Sequence, residues 1–514
     1  MQENSEEWFG KDNRLKKKIS KAIEENIDVL EVIFSGCGDV VKKSFYLNRN
    51  ERGVHIYICY IDGLTDNNMV EETIIKPLSY EWSGVSEEDI YEAIYYVEAQ
   101  TVDISKETSF DKTVERILKG DTAIFVDGYE KTLIVSSKKY PLRGISENRN
   151  EGGLRGPQDS FNEGFRKNTA LIRRRIRDSK LKVKQGIIGQ RTRTDYGLMY
   201  LEDVADLNIV NELDNRLNRY EIDGILDSGM GEHLIDYDDG FSLFPKFQST
   251  VRPDKVAAGI LEGRVAILFD NSPEVILAPV NLNMMLQASD DYYNSCAVAT
   301  FARVIRYLAL ILAVALPGLY IAITTFHSEM LPTKLLFAIV SARSKVTFPI
   351  VVEVLIMELF FELLREAGIR LPGALGNTIG VVGGLIVGQA AVDAGIVSTI
   401  VVIVVALTAI ASFTIPNEGF ASSFRLLKFF EIILSALFGF YGFILGLIAI
   451  IVHLCEIESF GVPYLYPYVS GELDSLSNKQ DLIFRAPIKS MKYRPFWAKN
   501  RVRFVRGKNG EASK

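Results

Sequence analysis

The chain has 514 residues, of which 48% are hydrophobic and 24% charged, with a net charge of −7. That length exceeds one simple domain. Four cysteines (Cys37, Cys59, Cys296, Cys455) without paired spacing and four scattered histidines exclude a disulfide framework and a His/Cys metal centre, and the cysteines read as buried thiols. There is no Gly-rich phosphate loop with a lysine, no HExxH and no Gly-x-Ser-x-Gly, and Gly229-Met230-Gly231 alone is weak. No catalytic residue, metal site or cofactor is expected, and the chain reads as a non-enzyme.

Met1 to Lys18 is charged and lacks an apolar core, so no cleavable secretion signal is expected there. Two stretches then share a pattern. Ile117-Leu118-Lys119-Gly120, an apolar strand and Asp127-Gly128 are echoed by Ile260-Leu261-Glu262-Gly263, a second apolar strand and Asp270-Asn271. Each reads as a helix stopped by glycine, a strand, and a tight turn into another strand. Upstream, Val54 to Ile61 and Tyr196 to Leu201 are strand-like, each followed by a helix near Asn67 or Asn208. The offsets, 143 and 140, nearly agree, so residues 1–141 and 191–296 read as two related cytoplasmic α/β subdomains. The competing reading is chance likeness between common turn patterns.

Residues 142–190 read as a basic linker and helix: from 142 to 194 there are fourteen Lys/Arg against five Asp/Glu. No aromatic stacking platform or zinc finger accompanies them, so no nucleic acid is expected. A solvated face, a subunit contact or a contact with anionic lipid remain the readings.

Residues 297–456 hold nearly all the long apolar runs and read as a multispanning helical membrane domain. The first span is Tyr307 to Phe326, kinked at Pro317-Gly318, with Arg303 and Arg306 before it favouring a cytoplasmic N-terminal half. Leu331 to Lys345 is too short to cross. Pro349 to Arg365 carries Glu353, Glu358 and Glu362 in apolar sequence, either as cation-attracting acids of a vestibule or as acids in water or paired with Arg365 and Arg370. Ala374 to Val392 carries Gly376, Gly380, Gly384 and Gly388 on one helical face, a pattern for close helix packing. Opposite run Thr378, Val382, Leu385, Gln389 and Asp393, polar at the ends and apolar between. That is the arrangement of a pore lining with a dewetting constriction, or of a packed helix whose apolar stripe faces lipid. Ser398 to Ile415 and Phe429 to His453 read as two further spans, with Arg425 and Lys428 between them. Residues 457–514 form a basic C-terminal tail, and five full spans would put the two termini on opposite sides.

Along nearly all its length the chain resembles the A subunit of spore germinant receptors, the GerA family. The resemblance is carried by Arg155-Gly156-Pro157, Asn168-Thr169-Ala170-Leu171-Ile172-Arg173-Arg174-Arg175-Ile176, Ile222-Asp223-Gly224-Ile225-Leu226-Asp227-Ser228 and Phe244-Pro245 to Gly263. It continues through Met357 to Leu364, Arg365-Glu366-Ala367-Gly368-Ile369-Arg370-Leu371-Pro372 and Gly388-Gln389-Ala390-Ala391-Val392. The resemblance implies a multi-pass protein of the bacterial spore inner membrane, partnered by a nutrient-sensing B subunit, a lipoprotein C subunit and membrane lipid. It also implies a homo-oligomer, a pentamer, that forms a ligand-gated channel releasing monovalent cations. The alternatives are a secondary transporter, built on helices broken at Pro317, Pro349 and Pro372, and a non-conducting scaffold for sensor subunits.

Overall fold

A computed structural model describes residues 17–47, 53–76, 90–101, 103–140, 155–236, 242–370, 384, 386–469 and 481–503. The chain divides into two compact units. The first takes in the chain up to Gly240, Ser249–Pro279 and the stretch from Lys492 onward; the second takes in Phe241–Gln248 and Val280–Met491.

The first unit is built on two five-stranded sheets. Its elements are α1 (Ile23–Ile33), β1 (Val40–Leu47), β2 (Val54–Ile61), α2 (Ile90–Thr101), β3 (Ile104–Glu107), α3 (Phe110–Leu118), β4 (Thr122–Val126) and β5 (Thr132–Val135). Then come α4 (Phe165–Arg175), β6 (Leu181–Ile188), β7 (Thr194–Leu201), α5 (Leu207–Leu217), α6 (Ser228–Asp236), β8 (Gln248–Thr250), α7 (Pro253–Leu261), β9 (Val265–Phe269) and β10 (Val275–Ala278). The strand orders are β1-β2-β4-β5-β3 and β6-β7-β9-β10-β8, the same order twice.

Register repeats as well. Cys59 opposes Ala123 as Met199 opposes Ala266, and Ile124 opposes Leu133 as Ile267 opposes Ile276. The helix stops repeat: Gly120 (φ 93°) and Gly263 (φ 89°) each close a helix in the left-handed region that glycine enters freely. Side-chain ties repeat too. Asp127 Oδ1 accepts the Ile23 amide at 3.1 Å, and Asp270 Oδ1 accepts the Phe165 amide at 3.1 Å. The second repeat therefore begins at the basic helix α4, within 142–190. The pairings described here are antiparallel, so each half is a meander-like sheet faced by helices rather than a parallel doubly wound one.

Helix α4 is basic without being a solvated face throughout. Arg173 is fully buried and makes a bidentate pair with Asp39, at 2.7 Å and 2.9 Å, while Arg175 pairs with Asp159 at 2.6 Å. A bidentate guanidinium–carboxylate pair fixes geometry as well as charge. It ties the second repeat's first helix to the segment before β1. The basic tail returns to this unit: Ala498 lies in the core beneath β7 and β9, and Lys499 donates its amide to the Val204 carbonyl at 2.8 Å. Arg503 pairs with Glu262 at 2.7 Å.

The second unit is helical: α8 (Cys296–Phe326), α9 (Thr333–Arg343), α10 (Ile350–Arg370), α11 (Thr399–Phe413) and α12 (Glu418–Glu456). Helices α8 and α12 are long and apolar enough to cross a membrane. The outward faces of α8, α11 and α12 stay apolar, with Phe301, Leu308, Ile311, Ile410, Phe413 and Leu437 all exposed. So much exposed apolar surface suits lipid rather than water.

One expectation needs correction. Phe429 to His453 does not run as one straight span, because Gly439 (φ 59°, ψ −138°) breaks α12. Beyond it the chain folds back. A methyl group at Gly442 would collide with the Leu434 carbonyl oxygen, and one at Gly446 with the Glu431 carboxylate. Phe244 touches Phe420 and Phe424 on one arm and His453 on the other. α12 is thus a helical hairpin with arms of about 30 Å and about 25 Å at 1.5 Å per residue. Glycine alone readily takes this backbone conformation, and Gly442 and Gly446 let the two arms close. The cysteines also differ from expectation: Cys37 and Cys59 are buried, but Cys296 is half-buried and Cys455 exposed. Burial pushes the Cys59 thiol up to about 12, which keeps it an inert neutral thiol.

Candidate functional site

The acids of α10 sit at successive turns, and each is engaged. Glu353 is fully buried, accepting the Ser398 amide at 2.9 Å and pairing with Arg343 at 3.0 Å. It therefore joins α10 to the end of α9 and the cap of α11, where Ser398 Oγ also accepts the Val401 amide. Five residues on, Glu358 is 1% exposed and lies 2.5 Å from Lys428 Nζ on the first arm of α12. Glu362, four residues further, takes Lys428 at 3.4 Å, Arg365 at 3.3 Å and Arg425 at 3.9 Å. Glu418 closes the network, pairing with Arg365 at 2.7 Å and Arg425 at 2.9 Å.

Within this network three carboxylates face three cations, so the charges balance. Charged groups among apolar helices are expected to pair in this way, since a lone charge there is costly. Arg303 and Arg306, expected before the first span, lie inside α8 and are also paired, both with Asp291 and Arg303 additionally with Asp481.

Of the glycine row, Gly384 and Gly388 are described, whereas Gly376 and Gly380 lie outside the described residues. A methyl group at Gly384 would meet nothing within 4 Å, and one at Gly388 only the Val402 side chain at 3.8 Å. Among the described residues, Gly384 is therefore open, whereas Gly388 is buried against Val402. Of the candidate lining, Thr378, Val382 and Leu385 lie outside the described residues. Gln389 and Asp393 are exposed at the end of a helical stretch and joined by a 3.1 Å hydrogen bond from Gln389 Nε2 to Asp393 Oδ1.

Sequence reasoning placed Arg425 and Lys428 between spans, but they lie inside the first arm of α12, and it gave the acids no partner on that arm. The signal was present at Pro416-Asn417: an Asn before an apolar run starts a helix, and Asn417 Oδ1 accepts the Phe420 amide at 2.8 Å. Glu431 was missed altogether, although an acid inside an apolar run is a functional-site signal in itself.

A repeated-sheet unit joined to an apolar helical unit with internally paired charges suits a membrane-associated protein carrying a large polar domain. The chain belongs to the Bacillus/Clostridium GerA spore germination protein family, whose model matches residues 28–497. It is 41% identical to spore germination protein KA of Bacillus subtilis strain 168 over 474 residues, which are 91% of this chain and 85% of that protein. To an uncharacterised membrane protein, YfkQ, of the same organism it is 38% identical over 479 residues, 93% of this chain and 92% of that one. It is also similar to the crystal structure of the N-terminal domain of the A subunit of the Bacillus megaterium spore germinant receptor GerK3. There the identity is 26%, the coverage 51% of this chain and 96% of that one, and the TM-score 0.41.

Proposed function

We propose that the chain is the A subunit of a nutrient-responsive germinant receptor that oligomerises, as a pentamer, in the spore inner membrane with B and C subunits. The assembly forms a ligand-gated channel that releases monovalent cations as germination begins. In this reading Ala374 to Val392 supplies the pore helix, Val382 and Leu385 its apolar constriction, and Thr378, Gln389 and Asp393 its polar mouths. Glu353, Glu358 and Glu362 brace the surrounding helices through their ion pairs and place carboxylates near the cation path.

The observation that carries this reading is the open space at Gly384. Glycines at helical spacing are poor helix formers, at about 1 kcal/mol each relative to alanine, and are useful where another helix approaches. Gly384 meets no described part of its own chain within 4 Å, which leaves room for another helix, and in this reading that helix comes from a second copy. Topology supports the orientation. The basic tail packs in the same unit as the sheets, which supports an even number of crossings between them, the α12 hairpin supplying in this reading the one that five spans lacked. With Lys and Arg favouring the cytoplasmic side, both the sheets and the tail are cytoplasmic.

The test is oligomeric mass and conductance on the purified full-length chain in detergent and planar bilayers. A pentameric ring with unitary potassium or sodium currents, altered by substitution at Val382, supports the channel. Saturable exchange without unitary steps would replace it with a transporter, and a monomer or dimer without current would leave a scaffold.

A further inference from the structure

Glu431 stands apart from the other buried acids of the helical unit. It lies on the first arm of α12, is 0% exposed, and neither of its carboxylate oxygens has a hydrogen-bond partner among the described residues. Ser435, one helical turn further, is equally buried, and its hydroxyl also has no partner among the described residues. Two glycines wall the place. A methyl group at Gly318 of α8 would lie 2.8 Å from Ser435 Oγ and 3.0 Å from Glu431 Cγ, and one at Gly446 of the second arm would strike Glu431 Oε2. The neighbouring acids Glu353 and Glu358 hold Arg343 and Lys428, and no described cationic side chain pairs with Glu431.

An isolated carboxylate removed from water is costly, and an unsatisfied buried polar group in a native fold calls for an explanation, of which a bound water, proton or ion is one. A water molecule would leave the charge in place. A proton would cancel it, and melting that responds to pH rather than to alkali ions would reveal it. A divalent ion would overcompensate a single carboxylate. One monovalent cation answers the charge, and a carboxylate and a hydroxyl one helical turn apart are the hard oxygen donors that suit an alkali ion. We propose that Glu431 and Ser435, between α8 and the two arms of α12, form a binding site for a single monovalent metal cation. Gly318 and Gly446 keep side-chain bulk out of it.

Occupancy is measurable whether or not the assembly conducts. Rubidium-86 and sodium-22 binding to the full-length chain in detergent, with choline chloride holding ionic strength constant, is expected to saturate at one ion per chain. Glu431→Gln should abolish that binding, and Ser435→Ala should weaken it several-fold. Melting adds a second readout. Potassium or sodium, but not choline, should raise the midpoint of the wild type by roughly 2–4 °C and leave Glu431→Gln unmoved. A Glu431→Gln protein as stable in choline as the wild type shows that the fold survives the change. Absence of saturable binding in the wild type, or retention of the site in Glu431→Gln, overturns the proposal. So does melting that responds to pH but to neither alkali ion, which would make Glu431 a proton site. Currents without binding would sink this site alone, and binding without currents would sink the channel alone.

Discussion

Lys428 on the first arm of α12 places its ammonium 2.5 Å from the Glu358 carboxylate of α10, with both side chains almost wholly sealed from solvent. Removing one partner of such a pair strands a buried charge and costs about 3–5 kcal/mol, whereas replacing both by apolar groups is often neutral. Lys428→Met is therefore expected to give little folded, monodisperse protein in detergent, and Lys428→Met with Glu358→Leu to recover most of it. Losses that simply add in the double variant would show that the two residues are not coupled.

Gly439 turns α12 back on itself at φ 59° and ψ −138°, with Phe326 packed against it. A side chain there meets both backbone strain, of about 1–3 kcal/mol, and the Phe326 ring. Gly439→Val should lower the melting midpoint of the purified chain by several degrees. A variant that melts with the wild type would mean that the arms do not depend on this turn.

Gly384→Leu separates folding from assembly. Its side chain would enter space empty of described atoms, so the chain should fold normally, yet the oligomer should be lost in size-exclusion chromatography with light scattering. An unchanged oligomer would remove the glycine face from the interface.

Val382→Ala and Leu385→Ala should each make spores leak cations before nutrient arrives, because a smaller constriction side chain wets more readily. The measurement is potassium release from dormant spores. Full dormancy in both variants would count against this register of the pore helix.

Burial, reinforced by Asp236 and Glu274, raises Glu232 of α6 from 4.5 to about 7. The folded chain then keeps a proton that the unfolded chain has released, so this contribution is full below pH 4.5 and is lost as pH rises through 7. Glu232→Gln should flatten that part of the stability profile and raise stability at pH 8 by on the order of 1–3 kcal/mol. The comparison is thermal melting of the two proteins at pH 5 and pH 8. Identical profiles would mean that Glu232 is ionised throughout.

The sheet repeat was legible where local chemistry is repeated. Gly120 and Gly263, and the Asp127 and Asp270 turns, sit at matching positions because a left-handed helix stop and a tight turn each demand particular residues. The start of the second repeat was hidden, since α4 reads as a run of arginines. The burial of Arg173 against Asp39, 134 residues earlier in sequence, cannot be read from either segment alone. The acids of α10 were likewise visible as acids, but Lys428, which answers two of them, reads as a charge between spans until the helix that carries it is placed.

By itself the sequence determined the division into a charged half and an apolar half, the local stops and turns of the repeated sheets, and the glycine row, because these follow from side-chain solvation and from backbone conformations that few residues adopt. Only the tertiary structure decided that α12 doubles back at Gly439, that Glu358 is answered by Lys428, and that Glu431 has no partner among the described residues. Each of these is a contact between residues distant in sequence or on different arms, and its energy depends on which groups are removed from solvent together, a property that no single segment carries.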